Sequence, residues 1–522
     1  MSAAVFSPLA EPAPDSRGPA GMPGPASQRQ PRALPAWAVI AAVVSVSLVA
    51  ISGRSLWIDE AATAIQAIQP TLKAWWQLLL QEKTAHLQMP LYMLYIWGYE
   101  KLFGCGEWTL RLANLPWFVA GAVVFVLGYP AGDRRRLIAA CLVLTCPFAW
   151  YYLDEARPYA MVLGASLLVL AALRRLAGDD RAAAGQNAGC LTFLLGIVAL
   201  SGSSLLGMIW AGSACAALAV VVSMPRLLSL LQSNRLACLT GGALLLLLAG
   251  YYVWTLKIGA RAAAPTTSSL GSVLFIGYDL LGFVGLGPGR LELRGVGPLA
   301  LRGYWVWLAL YAVVSMSVLG AALWHELRPR NRLFPLLALC AGIPAVVIIG
   351  AGWAVHFRAL GRHFAPLVAV LLLLFTNGLS VLWARPSLQS RGLAVLFCIL
   401  SLVSCLSVRF AARHERDNYR AAASLAKAAL RKGQSVWWNA STEGAKYYAV
   451  PLVRSSASSG EALLVANVSQ ESLSALPPPE LIITSKPDIY DGLMAIADYI
   501  HERGYREVGR LPAFVIWERS AK

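Results

Sequence analysis

Long apolar runs alternate with short polar or basic stretches along most of the 522 residues. A bilayer-crossing helix needs about 20 mainly apolar residues. Runs close to that length lie at 36–52, 110–128, 137–152, 158–173, 190–201, 205–223, 237–256, 303–323, 333–352, 364–383 and 392–410. They predict an all-α polytopic membrane protein with about 11 transmembrane helices. Pro90–Phe103 is apolar and aromatic but short, which suits an interfacial helix or the start of a further span. After residue 410 the pattern changes. Asp417–Gly433 has helical spacing and ends on glycine, Val436–Ala440 and Leu481–Thr484 read as buried strands, Ile489–Gly504 as a helix and Ala513–Glu518 as a last strand. Residues 411–522 carry 14 basic and 12 acidic side chains and so have the surface of a soluble α/β domain. The expected organisation is a tail over 1–35, a transmembrane domain over 36–410 with outer loops 53–109 and 257–302, and an accessory domain over 411–522.

Composition supports the membrane reading. The chain is 57% hydrophobic and 14% charged, against about 25% charged in soluble proteins. Residues 1–35 hold eight of the 29 prolines with much Ala, Gly and Ser, a mixture expected to stay a disordered cytoplasmic tail. The first apolar run lies far from the N-terminus and reads as an anchor instead of a signal peptide. No internal repeat of the inverted-transporter kind is visible. The nine cysteines form no CxxC pair and read as small core hydrophobes.

The net charge of +17 is read against topology and anionic lipid, and no nucleic-acid partner is expected. With the N-terminus inside, the five inner loops hold 13 Arg in 54 residues and the outer loops 12 Lys or Arg in 122. The density favours this orientation, which puts the C-terminal domain outside, in the periplasm for a bacterial inner-membrane protein. The outer loops nevertheless keep many cations, among them Lys257, Arg261, Arg290, Arg294, Arg358 and Arg362. They suit either anionic headgroups or a phosphate ligand. Arg362 with His363 is the preferred pair, because it sits where a span meets the outer surface.

Adjacent carboxylates, Asp59 and Glu60, open the first outer loop just beyond a membrane helix. A carboxylate there serves as a general base when an acceptor hydroxyl comes within hydrogen-bond reach; a helix cap is the alternative. Downstream come His86-Leu87-Gln88-Met89-Pro90-Leu91-Tyr92, Phe103-Gly104, Arg111-Leu112 and Asp154-Glu155-Ala156-Arg157-Pro158-Tyr159. In order and spacing, residues 55–165 resemble the polytopic glycosyltransferases of the GT-C fold, nearest to bacterial relatives of protein O-mannosyltransferase and of the lipid A aminoarabinose transferase. Beyond residue 165 only the layout and Gly361-Arg362-His363 match.

The resemblance implies a hexosyl or pentosyl donor on polyprenyl phosphate, transferred to a lipid, glycan or protein acceptor. It implies Asp59 as general base, Glu60 as helper or ligand of a possible divalent cation, and His86, Tyr92, Glu155 and Arg157 near the donor. One base and one displacement imply inversion at the anomeric carbon. At 203–207 the sequence reads Ser-Ser-Leu-Leu-Gly where relatives carry His-Tyr, so the donor sugar stays open. The loop Gly285–Arg290 fits no phosphate-loop pattern and is expected to be a turn-rich outer loop near the acceptor path. Trp437-Trp438 suits core packing better than sugar stacking. The competing classes are a lipid or sugar transporter, which needs charges near the midplane of its spans, and a glycan polymerase or ligase, which leaves Asp59-Glu60 unexplained.

Overall fold

A computed structural model describes residues 34–178, 183–259, 269–327, 333–454 and 458–520. The tail expected over 1–35 therefore lies almost wholly outside the described residues, as does Arg261.

Among the described residues, eight helices are long and apolar enough to cross a membrane, and ten if each of two bent pairs counts as one span. The chain is a multi-pass helical membrane protein. The run at 137–152 is broken by a 46° bend between Arg134–Leu144 and Pro147–Leu153. Pro147 has no N–H to give to the preceding turn, so the helix restarts there with proline in its first turn. The second pair, Leu205–Val221 and Met224–Ser233, bends by 120° ahead of Pro225. Ala36–Ala50, the first expected span, is a 15-residue helix. The stretch 190–223 divides at Ser204, whose hydroxyl caps the second helix by accepting from the Gly207 N–H.

The loop expected over 53–109 is largely helical. Ile58–Ala67 starts where the Glu60 carboxylate accepts from the Trp57 N–H at 3.3 Å. Leu72–Glu82 is capped by Thr71 and stops at Lys83, which is left-handed at φ 49°. A 3₁₀ turn, Ala85–Gln88, then leads into Pro90–Phe103. The stretch 285–290, expected as a turn-rich outer loop, follows on the 3₁₀ turn Phe283–Gly285 and packs against the end of the last membrane helix and the residues just after it. A Cβ on Gly289 would lie 1.6 Å from the Arg413 carbonyl oxygen, so only glycine lets the two backbones touch there.

The C-terminal region folds as a six-stranded mixed sheet with helices. Its strands are β1 (Val436–Asn439), β2 (Leu452–Val453), β3 (Ala462–Leu464), β4 (Leu481–Ser485), β5 (Tyr505–Leu511) and β6 (Phe514–Arg519), in spatial order β2-β3-β1-β4-β6-β5. β1 runs parallel to β3 and β4, while β6 is antiparallel to β4 and β5. Strand alternation sends Trp438 to one face, against Tyr419 and Phe514, and Trp437 to the other, against Tyr499. Both tryptophans are core residues. The expected helix 489–504 is two pieces, Pro487–Tyr490 and Ala495–Glu502, and β2, β3 and β5 were not anticipated.

This region is bolted to the first loop. The Tyr448 hydroxyl accepts from the Leu56 N–H at 2.8 Å and donates to Glu107 at 3.2 Å. Arg420 also reaches Glu107, at 3.3 Å. The first loop and the C-terminal sheet therefore lie on the same side of the membrane domain.

Candidate active site

Two adjacent carboxylates of the Ile58–Ala67 helix go opposite ways. Glu60 points inward and is fully buried. Arg111 grips it bidentately, Nε to Oε1 and Nη2 to Oε2 at 2.8 Å each, and the Ala156 N–H donates to Oε1 at 2.8 Å. Arg111 also donates to the carbonyls of Ser52 and Arg54, at 2.8 and 2.9 Å. The pair thus ties the extended segment leaving the first helix to the Glu107–Leu112 helix and to the 154–157 turn. Asp154 adds a tie, accepting from the Ser52 N–H at 2.6 Å and from its hydroxyl at 2.9 Å. The expectation of Glu60 as helper or metal-side ligand does not fit this placement, because its oxygens are already taken. Among the described residues no group of three or more His, Cys, Asp or Glu is placed to hold a metal ion.

Asp59 points the other way, into a cavity of about 530 Å³ that also takes in His86, Arg157, Arg362 and His363. The 3₁₀ turn Gly361–Phe364 carries Arg362 across the cavity, where its Nη1 lies 3.0 Å from Asp59 Oδ2. Gly361 permits this approach, since a Cβ there would lie 2.6 Å from that of Asp279. Arg157 Nη1 lies 2.8 Å from His86 Nε2 and donates to the Thr63 hydroxyl at 3.1 Å. The Nε atoms of Arg157 and Arg362 are both buried without a hydrogen-bond partner.

The electrostatics follow from this placement. Burial pushes the Asp59 carboxyl up, but Arg362 and Arg157 outweigh it and hold the group below the usual carboxylate range. Burial, helped by Arg157, drops His86 to about 3. His86 is therefore a neutral acceptor that orients Arg157. An ionised carboxylate beside two guanidiniums with spare donors can take a proton while an anion is stabilised next to it.

No protein-family model and no curated protein matches the sequence. Among solved structures, the chain is similar to ArnT from Cupriavidus metallidurans bound to undecaprenyl phosphate. The TM-score is 0.48 at 14% identity, over 92% of this chain and 97% of that one. The apo state of that protein gives 0.49 at 15%, with the same coverage. The Archaeoglobus fulgidus oligosaccharyltransferase in complex with Zn and sulfate gives 0.42 at 12%, over 86% and 68%. Likeness at this level assigns no residue a role.

Of the residues singled out from sequence, Asp59, His86, Arg157, Arg362 and His363 line one cavity. Glu60, Tyr92, Glu155 and Lys257 are not in its lining. Tyr92 is fully buried with an unpartnered hydroxyl. Glu155 is fully buried 3.6 Å from Arg416, and burial raises its carboxyl against the pull of Arg416 and Arg290. Lys257 ends an exposed helix. Arg290 stacks on Tyr151 at 4.0 Å and pairs with Asp279, while exposed Arg294 pairs with Asp488.

Arg416 stands out in the sequence only as a cation just after the last span; in the fold it donates to the carbonyls of Asp154 and Tyr151 at 2.6 and 2.9 Å. Sequence reasoning missed Glu82, Trp210 and Glu443, which line the cavity. Glu443 comes from the C-terminal region, and no local motif marks it.

Proposed function

We propose that the chain is a glycosyltransferase of the bacterial inner membrane. It moves a sugar from a polyprenyl-phosphate donor to a lipid, glycan or protein acceptor at the periplasmic face. One observation carries this reading: the Asp59 carboxylate and the guanidiniums of Arg157 and Arg362 converge on a single cavity at the ends of membrane helices.

In the reaction, Asp59 takes the proton of the acceptor hydroxyl. The acceptor oxygen forms the new bond to the anomeric carbon. The bond from that carbon to the phosphate oxygen breaks, and its electron pair stays on the phosphate. Arg157 and Arg362 stabilise the charge that grows there. A single displacement inverts the anomeric centre. Glu60 and Arg111 position the helix that carries the base, and His86 positions Arg157. The apolar wall, with Leu205, Leu206 and Trp210, suits the first isoprene units of the donor.

The test incubates membranes holding wild type or Asp59→Asn protein with radiolabelled polyprenyl-phosphate sugars and crude envelope acceptor. Label should leave one donor with wild type alone. Equal behaviour of the two proteins would remove Asp59 as base.

A further inference from the structure

We infer that Arg362 is the resting partner of Asp59, and that the phosphate of the polyprenyl ligand draws Arg362 away, so that the ligand itself frees the base. This deepens the glycosyltransferase reading and rests on it.

The two neighbouring carboxylates are held in very different ways. Glu60 is sealed by Arg111, and both side chains are 0% exposed. Asp59 and Arg362 are 29% and 22% exposed at the cavity wall. One hydrogen bond joins them. Arg362 makes that bond with one of five N–H donors, and its Nε has no partner. A contact of this kind exchanges readily when a better anion arrives. Arg157 is less free, because its Nη1 is already directed at Thr63, His86 and the Asp59 carbonyl.

While paired with Arg362, Asp59 is a weak base, because the guanidinium stabilises its ionised form. A polyprenyl-phosphate sugar is a phosphodiester with one negative charge. As the glycosidic bond breaks, the departing phosphate gains a second. Arg362 then turns increasingly to the phosphate, and the proton affinity of Asp59 rises as the acceptor proton reaches it. Interactions that strengthen toward the transition state are the ones that raise turnover.

Among the other groups around Asp59, Arg157 also favours the ionised carboxylate, but it stays in place when Arg362 turns away, so the change at Asp59 is set by Arg362. His86 is neutral, Glu60 faces Arg111, and His363 donates nothing to Asp59 while its Nδ1 accepts from the Leu360 N–H. Tyr159 lies under Arg362. Glu82 and Glu443 line the same cavity, and neither carries a positive charge that could stand in for Arg362.

The diagnostic experiment measures binding of tritiated undecaprenyl phosphate to the full chain in detergent. Wild type, Asp59→Asn, Arg362→Gln and the double variant are compared. Removing the competing carboxylate should tighten binding about tenfold, within the usual range of coupling between sites. In the Arg362→Gln background the same change should gain nothing. Equal or weaker binding by Asp59→Asn, or a gain that persists without Arg362, overturns the exchange. A wild type that binds no undecaprenyl phosphate would instead sink the glycosyltransferase reading, and the exchange with it.

Turnover gives a second readout. The acid limb of kcat, which reports the complex, should lie at higher pH than that of kcat/KM, which reports the free enzyme. Coincident limbs would also overturn the proposal.

Discussion

At the residue scale, adjacency in sequence hides opposite roles. A helix turns by about 100° per residue, so Asp59 and Glu60 cannot face the same surroundings. Glu60→Gln takes from buried Arg111 its bidentate partner and leaves it only Asp154, 3.7 Å away, which should cost about 3 kcal/mol and lower the thermal midpoint in detergent. Asp59→Asn should abolish turnover with the midpoint nearly unchanged, and thermal unfolding of the two variants side by side checks both. His86 makes a pH prediction. Its folded pKa of about 3 lies below the unfolded value of about 6.5, so below pH 6.5 the unfolded chain binds more protons there. Stability should therefore fall as pH drops from about 6.5 toward 3, and His86→Gln should flatten that slope by up to one proton in urea unfolding across pH.

At the element scale, the site depends on short irregular pieces set by the helices around them. The turn Gly361–Phe364 holds Arg362 in place, and Gly361 fits only because it has no side chain facing Asp279. Gly361→Ala should push this turn outward and weaken undecaprenyl phosphate binding about tenfold or more, while His86→Gln at the far wall should act through Arg157 alone. Equilibrium binding of the two variants separates a displaced turn from a loosened side chain. Pro147 acts in a similar way. It ends one helical segment and starts another, and Tyr151 and Tyr152 of the second segment become the platform for Arg290 and Arg416.

At the scale of the whole molecule, the C-terminal sheet is part of the site's architecture. Arg416 bonds the turn that carries Glu155 and Arg157, Tyr448 holds the segment before Asp59, and Glu443 enters the cavity wall. This arrangement puts the first loop and the C-terminal sheet on one side. Cysteines introduced at Lys73 and Ser472 should react with an impermeant maleimide from the same side. One introduced at Ser387, before the last membrane helix, should react only from the other. Labelling of intact cells against inverted vesicles reads this directly.

Some of this was legible in the residues and some was not. Membrane residence, the helical class and the change of character after residue 410 follow from apolar runs and charge density, which are local and additive. Trp437 and Trp438 were legible as core because neighbouring strand positions alternate between two packed faces. Asp59 stood out because charge beside a membrane helix is costly without a purpose. The partners of these groups were not legible. Arg111 meets Glu60 from 51 residues away, Arg362 meets Asp59 from 303 away, and Arg416 reaches Asp154 from 262 away. Strands β2 and β3, two and three residues long, are too short to carry a period. The sequence by itself determined the solvent each segment would accept, because hydrophobic transfer is nearly a property of each residue. The tertiary structure alone decided which charges neutralise each other and which stay available to a ligand, because electrostatic pairing depends on distances that chain order does not encode.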